Sequence, residues 1–495
     1  MNDHRHRLSP AALATIAVAM LFWTIYASLS QYNLDTHGDM VENYAWGVRW
    51  QWGYPKHPPL FGWVTAAWFS VLPVSDWAYY LLSAANSGLA LLAGLLFARR
   101  FLTPGQQLVA VCLAQFLPPL GFLALKYNAN SAMLPLWNAA FLFYLRALER
   151  RRTHDAAAFG AMCGLALLTK YMSATFILAL VLFTLADHNA RKLLSTPLPV
   201  VAAIAGAVVV LPHILWLVNH DFVTIAYAAG QGDGSFGRAL GSVGTYAGAV
   251  LAYSLPALLV LLALSRSGGT PWQLTTSHLR ALTDSVGGRG LLSCSAGPFV
   301  LTLLLGVASM AILSSPWSIP YFAPFPFVAA LLVPAGLAHV TGRRAAAVAA
   351  GAAIVGLAAA PFIQSLAVER SRAFSALPLR ELARQSAARF RQQTGTPLQL
   401  VSGLPVAANG TVFYADATYA VPMGDWKSAP SVDRSMLERH GAVHICLEDD
   451  ADCLNAGRAF LEQVEFSWTL DVSGPAGRRK ERSWRFIVLG RRPAT

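Results

Sequence analysis

Residues 34–63, LDTHGDMVENYAWGVRWQWGYPKHPPLFGW, come directly after an apolar N-terminal segment. They include carboxylates, histidines and basic residues, namely Asp35, Asp39, Glu42, His37, His57, Arg49 and Lys56. Glycine and prolines flank Lys56 and His57 in GYPKHPPL, and such residues restrict the backbone and hold these two side chains in place. A segment that only connects two helices does not need this combination, so we interpret it as a candidate reaction centre.

Tryptophans are frequent in the same segment, at Trp46, Trp50, Trp52 and Trp63. Tryptophan is enriched where a membrane protein crosses the membrane–water interface. We interpret these four mainly as anchors at the bilayer surface. An acid and a cation held there suit chemistry on a lipid phosphate, because the acid can deprotonate an acceptor and the cation can stabilise the leaving phosphate.

The composition of the whole chain indicates a membrane protein. Of its 495 residues, 55% are hydrophobic and 13% are charged, and the mean hydropathy is +0.46. Soluble domains carry about 25% charged residues. About eleven or more apolar runs approach the roughly 20 residues that a transmembrane helix needs. They lie near residues 11–30, 77–98, 105–124, 131–148, 156–169, 171–187, 197–218, 243–264, 296–315, 319–340 and 345–366.

The distribution of basic residues predicts the orientation in the membrane. The formal net charge is +12, which also occurs in proteins that bind nucleic acid. With a cytoplasmic N-terminus, about fifteen Lys and Arg residues before residue 367 fall inside and about five fall outside, as the positive-inside rule requires. This bias explains the net charge without nucleic acid, and it places residues 34–63 on the external side.

The chain changes character after residue 366, where long apolar runs stop and about half of all charged residues follow. An amphipathic helix is predicted within residues 371–395 and a second helix within 433–441. Short strands are predicted in PLQLVSG, AVHICLE, VEFSWTLDV and SWRFIVLG. We therefore expect a transmembrane domain at 1–366, with a catalytic external loop at 31–76, and a small external α/β domain at 367–495.

The five cysteines show no CxxC pair and no metal-ligand spacing. Cys112, Cys163 and Cys294 lie in or beside apolar runs and are interpreted as buried thiols. Cys446 and Cys453 lie in the polar C-terminal region, and a disulfide between them requires that this region faces an oxidising compartment. The sequence leaves both states of this pair open.

The spacing of residues within 34–63 resembles a known family. Asp39 is followed by Tyr44, and Gly53 begins GYPKHPPL fourteen residues after Asp39. This order resembles the first external loop of the polytopic GT-C-type glycosyltransferases that use polyprenyl-phosphate sugars. Within that type it resembles the bacterial relatives of protein mannosyltransferases, the lipid A aminoarabinose transferases and the rhizobial galacturonosyltransferases. The resemblance covers roughly residues 10–345 and implies the GT-C architecture.

The resemblance implies roles for particular residues of the loop. Asp39 matches the catalytic aspartate, with Asp35 as its rival, and His57 matches the Lys or His before Pro-Pro. Met40 stands where the family often has Glu, and Glu42 is the candidate to replace it. Lys56 occupies a position that is acidic in some relatives and is linked there to metal binding. No cofactor is therefore certain, and a divalent metal stays open.

Other segments match the family pattern further along the chain. GLALLTKYM places Lys170 between two spans on the external side. Its expected partner is the donor phosphate; the alternative is a helix-end lysine that only extends its ammonium group to the membrane–water interface. LPHILWLVNHDF contributes His220 with Asp221, and Arg238 follows as a candidate phosphate contact. SSPWSIPYF contributes Tyr321. Together with Asp35, Glu42, Tyr44, Lys56 and His57, these residues are the expected substrate-binding set.

The resemblance implies an inverting glycosyltransferase in the bacterial inner membrane, with a periplasmic active site. Its partners would be a polyprenyl-phosphate-linked sugar donor, membrane lipids, and an envelope acceptor such as lipopolysaccharide, another glycan or protein. A lipid-linked-sugar transporter or flippase is the alternative, but it predicts ionisable residues near the midplane of several spans or broken helices in repeated halves. A non-catalytic envelope-assembly protein is a third possibility. The acidic residues lie at loop ends and no repeat is visible, which favours the transferase.

Overall fold

The computed structural model describes residues 7–230, 235–266, 280, 283–370, 376–474 and 483–494, with the backbone alone at 367–370. Residues 371–375 of the predicted amphipathic helix lie outside the described residues. The helices before residue 371 are α1 Pro10–Ser30, α2 Asp39–Gly47, α3 Leu60–Phe69, α4 Asp76–Ala98, α5 Pro104–Ala114, α6 Ala129–Arg150, α7 Thr153–Thr169, α8 Ser173–Ala186, α9 Leu198–Val218, α10 Val223–Ala229, α11 Phe236–Arg266, α12 Val286–Ala308, α13 Phe325–Ala330 and α14 Ala338–Arg370.

Six of the described helices are long and apolar enough to cross a membrane, and the chain is a polytopic membrane protein. They are α1, α4, α9, α11, α12 and the segment Ala335–Leu366, which includes most of α14. Helices α3 and α8 are apolar but shorter. Because the other predicted spans correspond to shorter or less apolar helices, the count of about eleven stays a prediction.

Two of the predicted spans are not single helices. The run at 105–124 is helical only over α5, and Pro118 and Pro119 follow in a series of turns. The run at 319–340 consists of a 3₁₀ helix, Ser315–Phe322, the short helix α13 and a second 3₁₀ turn. Proline lacks a backbone N–H and its ring clashes with the preceding turn. Single prolines lie inside α6, α9, α11, α12 and α14, but these two runs contain several prolines close together, which favours short helices and turns.

Small residues allow close packing of α7 against α9. A Cβ atom added at Gly160 would overlap the carbonyl group of Ala202, and one added at Gly164 would meet Gly206 and Val209. In a membrane, helices associate through van der Waals contact, and small residues let their backbones approach. The pair forms part of the frame that positions Lys170, which follows α7 directly.

The chain divides into two compact units. The first, here called the helical unit, contains Met1–Thr24, Ser83–Val218 and Ile225–Gly356. The second, here called the loop–domain unit, contains Ile25–Leu82, Asn219–Thr224 and Leu357–Thr495. The loop–domain unit therefore includes both residues 34–63 and the C-terminal region. The predicted division into 1–366 and 367–495 stays a prediction.

The C-terminal region forms a five-stranded mixed sheet in the order β2-β1-β3-β5-β4. The strands are β1 Leu400–Gly403, β2 Tyr419–Pro422, β3 Ala442–Leu447, β4 Phe466–Ser473 and β5 Ser483–Arg491. The helices of this region are α15 Leu379–Thr394, α16 Pro405–Tyr414, α17 Ser435–His440 and α18 Ala451–Leu461. Strand β1 pairs in parallel with β2 and β3, whereas β5 pairs antiparallel with β3 and β4.

All four strands expected from the sequence are present, as β1, β3, β4 and β5. The predicted helix within 433–441 is α17, and Gly441 ends it with a positive φ of 62°. Helix α15 forms the described part of the predicted amphipathic helix. Strand β2 and helices α16 and α18 were not expected, because their apolar residues show neither a long helical period nor a clear alternation.

A disulfide joins Cys446 at the end of β3 to Cys453 in α18. His444 is buried beside it, where Nε2 donates to the carbonyl oxygen of Cys453 at 2.9 Å and Nδ1 lies 2.9 Å from Ser402 Oγ. Burial lowers the pKa of His444 to about 4. Both cysteine sulfurs are committed to the disulfide, so this cluster is part of the sheet's packing.

Candidate functional site

The turn into α2 positions Asp39 at the first residue of the helix. Gly38 has a φ of 79° there, a conformation that glycine adopts without strain. The carboxylate of Asp35 accepts four backbone N–H groups: those of His37 and Gly38 at 2.8 Å, Asp39 at 3.2 Å and Met40 at 2.8 Å. Asp35 therefore holds the first turn of α2, and Asp39 lies half-buried at its start.

Glu42 forms an ion pair with Lys56. The Nζ atom of Lys56 lies 2.7 Å from Glu42 Oε1 and 5.8 Å from the centre of the Trp46 ring. Burial raises the pKa of the Glu42 carboxyl above its usual value, and the Lys56 ammonium opposes that shift. The pair joins α2 to the GYPKHPPL segment.

The GYPKHPPL segment is a closed turn. The backbone N–H of Tyr54 donates to the carbonyl of His57 at 3.0 Å, and the Tyr54 ring stacks on Trp46 with centres 5.2 Å apart. The hydroxyl of Thr224 donates to the Tyr54 carbonyl at 2.7 Å. The His57 ring meets the edge of Phe61 at 5.8 Å. These contacts restrain the residues on both sides of Lys56.

Tyr44 packs in the interior of the loop–domain unit. Its ring makes edge-to-face contacts with Phe69 at 5.4 Å and with Phe413 of α16 at 5.0 Å. Only 8% of the residue is exposed. This arrangement fixes α2 against α16.

Arg49 connects the loop to the C-terminal sheet, a role that sequence reasoning did not identify. Its guanidinium donates to the Ser431 carbonyl at 2.9 Å and lies 4.2 Å from the centre of the Tyr419 ring. Gln51 donates to the Ser431 hydroxyl at 2.6 Å. The charge of Arg49 gave no signal of this contact, because the sequence does not show which strand the loop packs on.

His220 lies in the short segment 219–224 of the loop–domain unit. It is half-buried, and its carbonyl oxygen accepts the backbone N–H of Val223 at 3.1 Å. The next two residues, Asp221 and Phe222, both have a φ of 52°, so the chain turns sharply here. Thr224, whose hydroxyl bonds to Tyr54, anchors this segment to the loop.

Lys170 lies in the helical unit, at the end of α7. Its Nζ donates to Asn130 Oδ1 at 2.8 Å and lies 4.8 Å from the centre of the Trp317 ring. Sequence reasoning missed Asn130 and Trp317 as partners. Polar residues inside KYNAN, a break in an apolar sequence, were the available signal for Asn130.

Tyr321 belongs to a chain of hydroxyl groups in the helical unit. It donates to Thr302 Oγ1 at 2.7 Å and accepts from the Tyr246 hydroxyl at 2.8 Å. Arg238 is exposed near the start of α11 in the same unit. A second polar pair, missed from the sequence, joins Tyr171 to the buried His213, with Oη and Nε2 2.7 Å apart.

Two carboxylates of the loop are already engaged with other partners. Asp35 uses both oxygens for backbone N–H groups, and Glu42 is paired with the Lys56 ammonium. Among the described residues, His444, Cys446 and Cys453 form the group of three that could hold an ion, and two of them are disulfide-bonded. Because divalent metals such as Mg²⁺ need several unpaired oxygen ligands, we assign no metal to the loop.

Comparison with known proteins supports the resemblance inferred from residues 34–63. A family model described as dolichyl-phosphate-mannose-protein mannosyltransferase matches residues 56–216. The lipid A galacturonosyltransferase RgtD of Rhizobium johnstonii is 26% identical over 226 residues, which are 44% of this chain and 46% of that protein. The match thus spans less than half of that relative.

Solved structures show the same fold over nearly the whole chain. ArnT from Cupriavidus metallidurans bound to undecaprenyl phosphate has a TM-score of 0.65 and 15% identity, and the match covers 96% of this chain and 97% of ArnT. The apo state of that ArnT gives a TM-score of 0.64 and 13% identity, with the same coverage. The predicted resemblance to the GT-C-type glycosyltransferases is confirmed.

Proposed function

We propose that this protein is an inverting glycosyltransferase that moves a sugar from a polyprenyl-phosphate donor to an envelope acceptor at the periplasmic face. The observation that carries the proposal is the construction of the loop around α2. Asp35 is occupied in holding the helix, Glu42 is paired with Lys56, and Asp39 lies at the start of the helix. We assign the role of general base to Asp39.

The reaction follows from these groups. Asp39 accepts the proton of the acceptor hydroxyl or amine while that atom attacks the anomeric carbon. The bond from the anomeric carbon to the phosphate oxygen breaks, and polyprenyl phosphate leaves with the electron pair. In-line attack inverts the configuration. Since the leaving phosphate is already a weak base at neutral pH, it needs charge stabilisation rather than a general acid.

Cationic side chains in each unit suit the phosphate. In the helical unit, Lys170 is directed by Asn130 and Trp317, and Arg238 is exposed. In the loop–domain unit, Lys56 and His57 lie in a restrained turn. We assign phosphate binding to these residues, and we assign contacts with the sugar or acceptor to His220 and Tyr321.

The choice of donor and acceptor is supported by the relatives. ArnT from Cupriavidus metallidurans binds undecaprenyl phosphate, and RgtD is a lipid A galacturonosyltransferase. We infer an undecaprenyl-type donor and propose lipid A or lipopolysaccharide as the first acceptor to test, before other glycans and proteins. The excess of basic residues in the predicted cytoplasmic loops supports the periplasmic face.

The test uses purified full-length protein with a panel of radiolabelled polyprenyl-phosphate sugars and envelope lipids. We expect transfer of label together with release of polyprenyl phosphate. Loss of a general base typically costs about 10²–10⁴-fold in rate, so Asp39→Asn should lower kcat by that factor. The matched control is Asp452→Asn, an exposed carboxylate in the first turn of α18.

Full activity of Asp39→Asn would refute the assignment of the base. Absence of both transfer and polyprenyl phosphate release from every donor would refute the transferase. The transporter and the non-catalytic envelope-assembly protein would then be the alternatives.

A further inference from the structure

A cavity of about 500 Å³ lies in the loop–domain unit, and none of the residues assigned above lines it. Its volume falls in the range of roughly 300–1,000 Å³ that is common for ligand sites. Ser28 and Gln31 at the end of α1 contribute to its wall, and so do Asp76 and Trp77 at the start of α4. We call this cavity the interfacial pocket.

From the ends of two apolar helices we infer that the pocket lies at the level of lipid headgroups. Helices α1 and α4 are both long and apolar enough to span the membrane, and the pocket is formed where α1 ends and α4 begins. Trp77 is 46% exposed there, as is typical of tryptophan at the membrane–water interface. A molecule bound in this pocket would therefore be able to keep its acyl chains in the bilayer.

One wall of the pocket is a rigid group of three side chains. The guanidinium of Arg380 donates to Asp76 Oδ2 at 2.6 Å and lies 5.4 Å from the centre of the Tyr414 ring. The Tyr414 hydroxyl donates to Asp76 Oδ1 at 3.1 Å. Because these groups satisfy one another, they need no ligand to hold their positions.

Arg384 differs from this group. It lies one turn after Arg380 on α15, lines the pocket and is exposed. Among the residues that the structure describes, its side chain makes no ion pair. Asp416 lies on the same pocket as a second carboxylate. The lining thus combines hydroxyl and carboxylate acceptors, guanidinium donors and the aromatic ring of Trp77.

This mixture fits a saccharide better than a simple anion. Sugar hydroxyls can donate to carboxylates and accept from guanidinium groups, and aromatic side chains offer apolar faces beside polar tips. A guanidinium is also well suited to bind a phosphate oxygen pair. The lining therefore favours a sugar that carries a phosphate, with Arg384 facing the phosphate.

We propose that the interfacial pocket binds the phosphorylated saccharide headgroup of the acceptor lipid. The inference rests on the proposed function for the identity of the acceptor, and it adds a binding subsite that contains none of the residues assigned to the chemistry. Arg384 contacts the phosphate and Trp77 lies beside the sugar and the lipid surface.

The pocket is coupled to α2 through its walls. The Tyr80 hydroxyl donates to the carbonyls of Asn33 and Leu34 at 3.1 and 3.3 Å, just before Asp35. Phe413 packs against Tyr44 of α2 on its other side. A headgroup in the pocket therefore contacts the same side chains that fix the helix carrying Asp39.

The test measures binding and transfer with the full chain in detergent. The probes are hexa-acylated bisphosphorylated lipid A, phosphatidylglycerol and inorganic phosphate. We expect Arg384→Ala to raise the Kd and the acceptor KM for lipid A about tenfold, the scale of a hydrogen bond to a charged group. The donor KM and kcat should stay unchanged, and Arg384→Lys should restore part of the affinity. The matched control is Arg391→Ala, an exposed arginine on α15 outside the pocket.

Each outcome has a separate meaning. An unchanged Kd for lipid A in Arg384→Ala would overturn the proposal, and so would an equal loss of phosphatidylglycerol binding, which would indicate a general anionic-lipid surface. If Arg384→Ala weakens inorganic phosphate binding as much as lipid A binding, the pocket is a site for a free anion and the proposal is overturned. Lipid A binding is also measured with Arg384→Ala combined with Asp39→Asn. If Arg384→Ala still raises the Kd tenfold and no variant, including the unmodified protein, transfers sugar, the proposed function is refuted and the pocket assignment stands.

Discussion

Replacing Asp35 by Asn tests whether this residue builds the site rather than performing the chemistry. Oδ2 of Asp35 accepts the N–H of Met40 at 2.8 Å, and Oδ1 accepts those of His37, Gly38 and Asp39. An asparagine side chain keeps one acceptor oxygen, but its NH₂ group would face a backbone donor. The substitution therefore preserves shape while it removes one hydrogen bond and the charge.

The magnitude follows from these contacts. A buried N–H left without an acceptor costs about 1–3 kcal/mol, and a negative charge at a helix N-terminus contributes about 0.3–1 kcal/mol. We expect the first turn of α2 to lose about 2–2.8 kcal/mol, which corresponds to about 30–100-fold more frequent opening. Transfer should fall with it, because Asp39 is in that turn.

Hydrogen exchange of the amides of residues 37–40 measures this opening directly. Asp35→Asn should exchange these amides about 30–100-fold faster. Asp39→Asn should leave them protected and still lower kcat by about 10²–10⁴-fold. Thr36→Val is the matched control. Thr36 is exposed, and within the described turn its hydroxyl is hydrogen-bonded only to the His37 side chain. Unchanged exchange in Asp35→Asn would refute the assigned role, and an inactive but fully protected Asp35→Asn would make Asp35 the better candidate for the base.

Two further predictions concern the two units separately. The pKa of His444 is lowered to about 4 by burial, so the native state stays uncharged while the unfolded state binds a proton. Stability present above pH 6.5 should therefore be lost as pH falls towards 4, by at most about 3 kcal/mol. Denaturant unfolding measures this as the difference in the free energy of unfolding between pH 7 and pH 4.5, which should be smaller in His444→Gln. An equal difference in His444→Gln and the unmodified protein would contradict the prediction. In the helical unit, Asn130→Ala removes the acceptor of Lys170 and should raise the donor KM about tenfold, with the acceptor KM unchanged as the internal control. An unchanged donor KM would show that Lys170 does not depend on Asn130.

The loop at residues 34–63 shows how far the sequence alone could be interpreted. Spacing from Asp39 to GYPKHPPL predicted the GT-C resemblance, and comparison with ArnT and RgtD confirmed it. The motif spacing favoured Asp39 as the base but left Asp35 as a rival, since both are carboxylates and lie four residues apart. The four amide bonds to Asp35 appear only once the turn at Gly38 is formed, and they favour Asp39 as the base.

The transmembrane helices give a similar lesson. Apolar length predicted α1, α4, α9, α11 and α12, because lipid requires such runs to satisfy their own backbone. It gave wrong continuous helices at 105–124 and 319–340, where a hydropathy average hides the prolines that interrupt the hydrogen-bond ladder.

The sequence by itself determined that this is a membrane protein with a charged loop after its first apolar run and a C-terminal α/β region, because apolar runs and alternating patterns are local properties. Only the tertiary structure decided which partner each ionisable side chain has. Lys56 pairs with Glu42 fourteen residues away, Arg49 reaches Ser431, and Arg380 meets Asp76 across more than three hundred residues. Such pairs form because segments that are far apart in the sequence pack against each other. Local sequence patterns do not predict these long-range contacts.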